Sequence, residues 1–177
     1  MALRTRNNLA GALLVLGILQ FVMVFLLVSA YFGYSSDLTI SYILYKNVYA
    51  DVSEGIAGIA VVAGAFLARK RISNAVYPFM IAGGCAFLIS IFNLTYGTLH
   101  VFLTALLLIS GIAAMVISKG NWIFRKVSVV LAGLSVLGGV LFFAGVFSHG
   151  LTERLAFFPL MGWGIALGVL LLFHRFS

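Results

Sequence analysis

Carboxylates are nearly missing from this chain: 177 residues contain four, Asp37, Asp51, Glu54 and Glu153, and only 8% of residues carry any charge. Soluble domains use about a quarter charged residues, so this scarcity, with 63% hydrophobic content, excludes an ordinary soluble globule. Cysteine is equally scarce. Cys85 stands alone in an apolar run, which excludes a disulfide framework and a paired-thiol redox or metal centre and leaves it a small packing residue. Polar stretches long enough to form a soluble module are also lacking, so the chain reads as one domain, 1–177.

What is present is a series of apolar runs. A bilayer core of roughly 30 Å needs about 20 helical residues, and six segments meet or approach this length: 9–31, 52–68, 74–92, 99–117, 127–147 and 155–173. The second is the shortest. Residues 1–30 imitate a signal peptide, with Arg4 and Arg6 before an apolar run ending in Val28-Ser29-Ala30, but the run is too long for an ordinary signal core and reads as a retained helix. Alternation of the kind barrel strands need is absent, so the expected fold is all-α, a polytopic membrane protein with six transmembrane helices.

The net charge of +7 does not point to nucleic acid, because the basic residues stand in knots of two or three between apolar runs. With both termini cytoplasmic, the inner segments hold Arg4, Arg6, Arg69, Lys70, Arg71, Lys119, Arg125, Lys126 and Arg175, leaving Lys46 and Arg154 outside. Short loops rich in Lys and Arg stay inside, so this asymmetry selects six helices in the cell membrane with N- and C-termini cytoplasmic. All four acids then fall on the outer side.

The outer loop 32–51 is the longest polar stretch. Leu38, Tyr42, Tyr45 and Tyr49 are spaced i, i+4, i+7, i+11, which predicts one face of a short outer-surface helix, with Ser36 or Asp37 as its cap. The tyrosines belong at headgroup depth or against a partner. Small residues recur at four-residue spacing as Ala60, Gly64 and Ala68, as Ser128, Ala132, Ser135 and Gly139, and as Gly164 and Gly168. Such stripes let backbones approach closely, within a bundle or against a neighbouring protein. Pro78 and Pro159 are expected in the first turns of their helices, where proline costs least.

Every ionisable residue is expected near a helix end, which argues against a proton or ion path through the membrane. His100 and His149 fall on the outer side with Asp51, Glu54, Glu153 and Arg154, a candidate polar cluster. Imidazole and carboxylate would suit zinc or haem, but no HxxxH-like spacing supports either, and no metal or cofactor is assigned. His174 lies at the opposite end. A Ser-His-Asp set drawn from Ser148 or Ser53, His100 and Asp51 lacks a nucleophile elbow, and no catalytic residue is assigned. Glu153 is explained by the dipole of its own helix, and Arg154, against the charge trend, by pairing with Glu153, Glu54 or Asp51. Asn93-Leu94-Thr95 is a glycosylation sequon close to the membrane.

Three short motifs resemble a known family. Gly33-Tyr34-Ser35, then Gly97-Thr98-Leu99-His100 with the run VFLTALLLISGIAA, and Gly150-Leu151-Thr152-Glu153-Arg154-Leu155 followed by Pro159 and Trp163 are similar to an uncharacterised membrane family catalogued as domain of unknown function 998. The resemblance implies a six-helix fold and marks His100, Glu153 and Arg154 as family-like polar positions. The first loop departs from the family's pattern, with Ile40-Ser41-Tyr42-Ile43 in its place.

These readings lead to an expected function as a non-catalytic accessory subunit of a larger membrane complex. Its partners would be other integral membrane subunits and the bilayer, with Tyr42, Tyr45 and Tyr49 as candidate partner contacts. The alternative is a small lipid-, quinone- or haem-interacting membrane protein with a site around His100, His149 and Glu153. A transporter or channel ranks behind both, for want of broken mid-membrane helices.

Overall fold

The computed structural model describes residues 3–35, 37–145 and 147–173. Ser36 as a helix cap, and His174 and Arg175 at the inner end, lie outside the described residues. The apolar runs are helices, the form in which a segment surrounded by lipid satisfies its own backbone groups. They are α1 (Leu3–Tyr31), α2 (Ile40–Lys46), α3 (Val48–Ile72), α4 (Val76–Ile91), α5 (Thr98–Ile117), α6 (Trp122–Ala144) and α7 (His149–Leu172). Among the described residues five continuous helical stretches are long and apolar enough to cross a membrane, and one of them, Val48–Ile91, is the α3–α4 hairpin, folded back on itself. The turn is made at Ser73, whose φ of 51° lies in the left-handed region that favours glycine.

The long helices form a ring. α1 packs on α3 and α7, α3 on α4, α4 on α5, and α6 on α7, while the contact of α5 with α6 is the thinnest in the circuit. Sequence neighbours run antiparallel, and the small-residue stripes set their closest crossings. A Cβ on Gly58 would stand 2.6 Å from the Gly83 carbonyl oxygen and 2.6 Å from the Phe87 nitrogen, so α3 and α4 touch backbone to backbone. A Cβ on Gly11 would stand 2.5 Å from the Gly168 carbonyl, which fixes α1 against α7 in the same way. Gly64 faces Leu14 and Gly164 faces Ile18. Ser128, Ala132, Ser135 and Gly139 are buried too. All three stripes are therefore used inside the bundle.

Part of the ring's interior is filled around Trp163. This side chain is 1% exposed, meets Phe79 of α4 edge-on at 5.0 Å, stacks on Phe124 of α6 at 6.1 Å, and donates its indole N–H to Ser128 Oγ at 2.9 Å. Cys85 packs with Ile89 and Leu103 between α4 and α5, as a packing residue should.

The antiparallel order collects charge at two ends. Arg4, Arg6, Arg69, Lys70, Arg71, Lys119, Arg125 and Lys126 lie at one. There Arg6 donates to the Leu67 carbonyl at 2.8 Å, and Arg69 and Lys126 lie over Phe66 and Trp122. The four acids lie toward the other end with α2.

Three expected boundaries change. The segment expected to be shortest, 52–68, is part of the 25-residue α3, which takes in 48–51, Asp51 among them, from the supposed loop. α2 stops at Asn47, whose side chain accepts from the Tyr49 and Ala50 N–H groups and starts α3, so Tyr49 belongs to the next helix and not to a face shared with Tyr42 and Tyr45. Pro159 lies well inside α7 because that helix begins at His149. Its missing N–H leaves the Leu155 carbonyl without its helical donor. Gly138 of α6 approaches the backbone of Leu155 and Ala156 at this level.

Candidate functional site

A seven-residue helix is too short to hold itself together, and its first N–H groups need outside acceptors. α2 has two sources. Thr39 accepts from the Tyr42 N–H at 3.1 Å and is its cap, where Asp37 was expected. Glu153, reaching across from α7, accepts from the Ile40 N–H, from the Ser41 N–H at 3.4 Å and from the Ser41 hydroxyl at 2.8 Å. The expected role of Glu153 at the start of its own helix is thus corrected. α7 is capped by Ser148, which accepts from Leu151, and Glu153 sits one turn further in, buried, with its carboxylate on another helix. A backbone bond of 3.1 Å from the Gly150 N–H to the Asp37 carbonyl holds the two segments together beside it.

Anchored in this way, α2 turns Ile40, Ile43 and Leu44 inward against Phe21 and Phe25 of α1. Its tyrosines turn outward, Tyr42 36%, Tyr45 40% and, on α3, Tyr49 75% exposed. Lys46 Nζ lies 5.6 and 5.1 Å from the ring centres of Tyr42 and Tyr45.

Beneath α2 the ring holds a partly open chamber of about 120 Å³, walled by α1, α3, α4, α5 and α7 and reaching down to Trp163. Its lining is apolar except for Glu54, Glu153, Ser41 and Thr104. Small side chains keep it open, among them Ala57 and Gly58 on α3 and Ala82, Gly83 and Ala86 on α4. Glu54 Oε2 and Thr104 Oγ1 are buried and have no hydrogen-bond partner among the described residues. A second cavity of about 350 Å³ lies between α5, α6 and α7, where the ring is loosest. Ser41, Thr104, Glu153 and Phe157 line both, so these four residues form the wall between them.

Comparison with protein-family models, curated proteins and solved structures finds no match for this chain.

The expected cluster is divided by this geometry. Glu54 and Glu153 share the chamber, and His100 and Glu153 share the second cavity. His100 is buried, with Nδ1 3.3 Å from the Phe92 carbonyl and Nε2 without a partner among the described residues. His149 is exposed and packs on Phe142 at 5.0 Å, outside both cavity linings. Asp51 stands in the first turn of α3, where the dipole favours an acid. The Arg154 guanidinium lies 5.9 Å from the Phe25 ring centre, a cation–π contact, and also acts electrostatically on Glu153, one of its expected partners. Asn93 is folded into the turn after α4, accepting from the Thr95 N–H at 3.2 Å and hydroxyl at 2.7 Å.

Among the described residues no three His, Cys, Asp or Glu side chains are grouped to hold a metal ion. The arrangement is suited to binding instead: an apolar space with a few fixed polar atoms that select orientation. Sequence reasoning missed two of its members, Thr104 and Ser41, and one polar link outside both linings, Gln20. Thr104 has a signal, lying one turn beyond His100 on the same helix face. Gln20 has one as well, as the amide in the middle of apolar α1, where it donates to the Ser53 carbonyl at 2.7 Å and joins α1 to α3. Ser41 has none, because its role depends on a carboxylate 112 residues away.

Proposed function

We propose that this protein is a membrane-embedded binding protein for a small amphipathic molecule, held in the chamber between α2 and Trp163. The observation that supports it is the pair of buried, unpartnered polar atoms, Glu54 Oε2 and Thr104 Oγ1, facing an otherwise apolar space. Buried polar groups are normally hydrogen-bonded, and one left over calls for an explanation such as a catalytic role or a bound water or ion. This reading favours the lipid-interacting alternative over the accessory subunit, since the small-residue faces that would dock a neighbour are used within the bundle. The charge distribution supports insertion in the cell membrane with the basic end cytoplasmic and α2 outside. Kinship with the domain of unknown function 998 family is part of the same proposal, and its polar positions His100 and Glu153 border the two cavities.

The test is retention of a native molecule. Protein purified in mild non-ionic detergent is exchanged extensively, extracted with organic solvent and analysed by mass spectrometry. A stoichiometric amphiphile is expected in wild type and its loss in Ala86→Phe, which fills the chamber. Equal retention by both, or none by wild type, would overturn the reading.

One observation favours the accessory-subunit reading: Tyr31, Phe32, Tyr45 and Tyr49 form an exposed aromatic rim at the acidic end. Exposed aromatics of this kind suit a protein interface. Native gels of gently solubilised membranes decide it, with a high-mass species expected and a lone ~19 kDa species sinking the idea.

A further inference from the structure

We infer that the molecule bound in the chamber is a single-chain amphiphile with an ammonium head, the head lying between Glu54 and Glu153 beside Thr104 and the tail running through the second cavity toward the bilayer. This rests on the binding reading above and adds the chemical class of the ligand. The head is selected by what the chamber offers. Its ionisable lining consists of two carboxyl groups, and no Lys, Arg or His lines it among the described residues. The Ser41 hydroxyl already donates to Glu153, and the Trp163 indole already donates to Ser128. Acceptors therefore outnumber free donors, with Glu54 Oε2 unpartnered and the Thr104 hydroxyl the one side-chain donor in the lining still unused among the described residues. A carboxylate or phosphate head would bring further acceptor oxygens beside two carboxyl groups in an apolar space. A quinone, which presents only carbonyl acceptors, would find a single donor. An ammonium supplies both the positive charge and three N–H donors.

The tail path follows from the same geometry. The chamber alone has about the volume that accepts a benzene-sized molecule, too little for a chain of membrane length. The second cavity meets it at the wall of Ser41, Thr104, Glu153 and Phe157 and is lined beyond that by Ala105, Leu108 and Phe142. Two further lining residues, Val101 of α5 and Phe143 of α6, are 58% and 76% exposed on the bundle's flank. An alkyl chain leaving the wall here passes between α5 and α6, the pair least closely packed.

Trp163 lines the chamber and is one of two tryptophans, the other being Trp122 at the basic end. In a Trp122→Phe background, quenching of Trp163 by dodecylamine, dodecanol and dodecanoic acid, each brominated close to its head, therefore reports chamber entry by three heads on one tail. Brominated phospholipid gives the bulk baseline. The amine is expected to quench at about tenfold lower concentration than the alcohol, as a charge-assisted hydrogen bond in place of a neutral one implies, and the acid at the highest. Glu54→Gln should remove the preference for the amine over the alcohol. Thr104→Val should weaken both, and circular dichroism of each variant reports its fold. Equal quenching by amine and alcohol, or strongest quenching by the acid, overturns the ammonium assignment while the binding reading stands. Quenching by none above the baseline overturns both.

Discussion

Glu153 is the residue on which the acidic end depends. Its carboxylate serves three donors of α2, the Ile40 and Ser41 N–H groups and the Ser41 hydroxyl, and α2 in turn covers the chamber. Removing it leaves buried donors unpaired, a loss of about 1–3 kcal/mol concentrated in α2 because the long helices have their own internal bonds. Glu153→Ala should therefore speed amide exchange across residues 38–47 by at least about tenfold, with exchange in α4 unchanged, as read by hydrogen–deuterium mass spectrometry. Uniform acceleration throughout the bundle would show that Glu153 supports the whole fold and not α2 alone. The sequence marks Glu153 as unusual, since an acid in an apolar chain demands explanation. It does not reveal the explanation, because nearest-neighbour logic assigns the charge to its own helix, and the true partner is set by packing. His149 fails the opposite way: it looked like a member of the cluster through its place beside α7, and the helix turns it outward onto Phe142.

Helix existence was legible because lipid-spanning segments must be apolar and continuous, and the six expected spans match α1 and α3 to α7. Boundaries were less so. Hydropathy cannot see that Asn47 ends one helix and caps the next, nor that α3 continues through Asp51 to Val48, past the apolar run. The small-residue stripes were legible as contact faces, and the ring decides what they contact. The crossing of α3 and α4 carries a direct test. A Cβ at Gly58 meets backbone atoms of Gly83 and Phe87, which move only if the helices separate, whereas one at Gly84 meets nothing within 4 Å. Gly58→Ala should lower stability by about 1–3 kcal/mol through overpacking. Gly84→Ala should leave it level or raise it by about 0.5–1 kcal/mol through better helix propensity. Thermal unfolding of the two variants in detergent compares them under one condition. Equal melting temperatures would mean that the α3–α4 crossing yields more readily than its backbone contacts imply.

The ring arrangement makes orientation a question about the entire chain. Each antiparallel helix pair moves charge alternately to one end and the other. The basic knots of α1, α3 and the α5–α6 turn consequently coincide in space, although more than 100 residues of sequence separate Arg6 from Lys119. Short segments so rich in Lys and Arg resist translocation, so the basic end should face the cytoplasm. The chamber, at the acidic end, would then take up its ligand from the outer half of the bilayer. Cys85 is the one native thiol, so Cys85→Ala provides a background for single cysteines. Asp37 and Lys119 are both exposed, at opposite ends. In intact cells a membrane-impermeant maleimide should label Asp37→Cys at once and Lys119→Cys only after permeabilisation. The reverse pattern would turn the protein over and place the chamber in the inner half, so that its ligand would come from the cytoplasmic leaflet. Labelling of both from outside would contradict the antiparallel ring itself, since α5, running from Thr98 to Ile117, must carry the chain from the acidic end to the basic one for Gly111 to meet Leu160 and for Gly139 to meet Leu108.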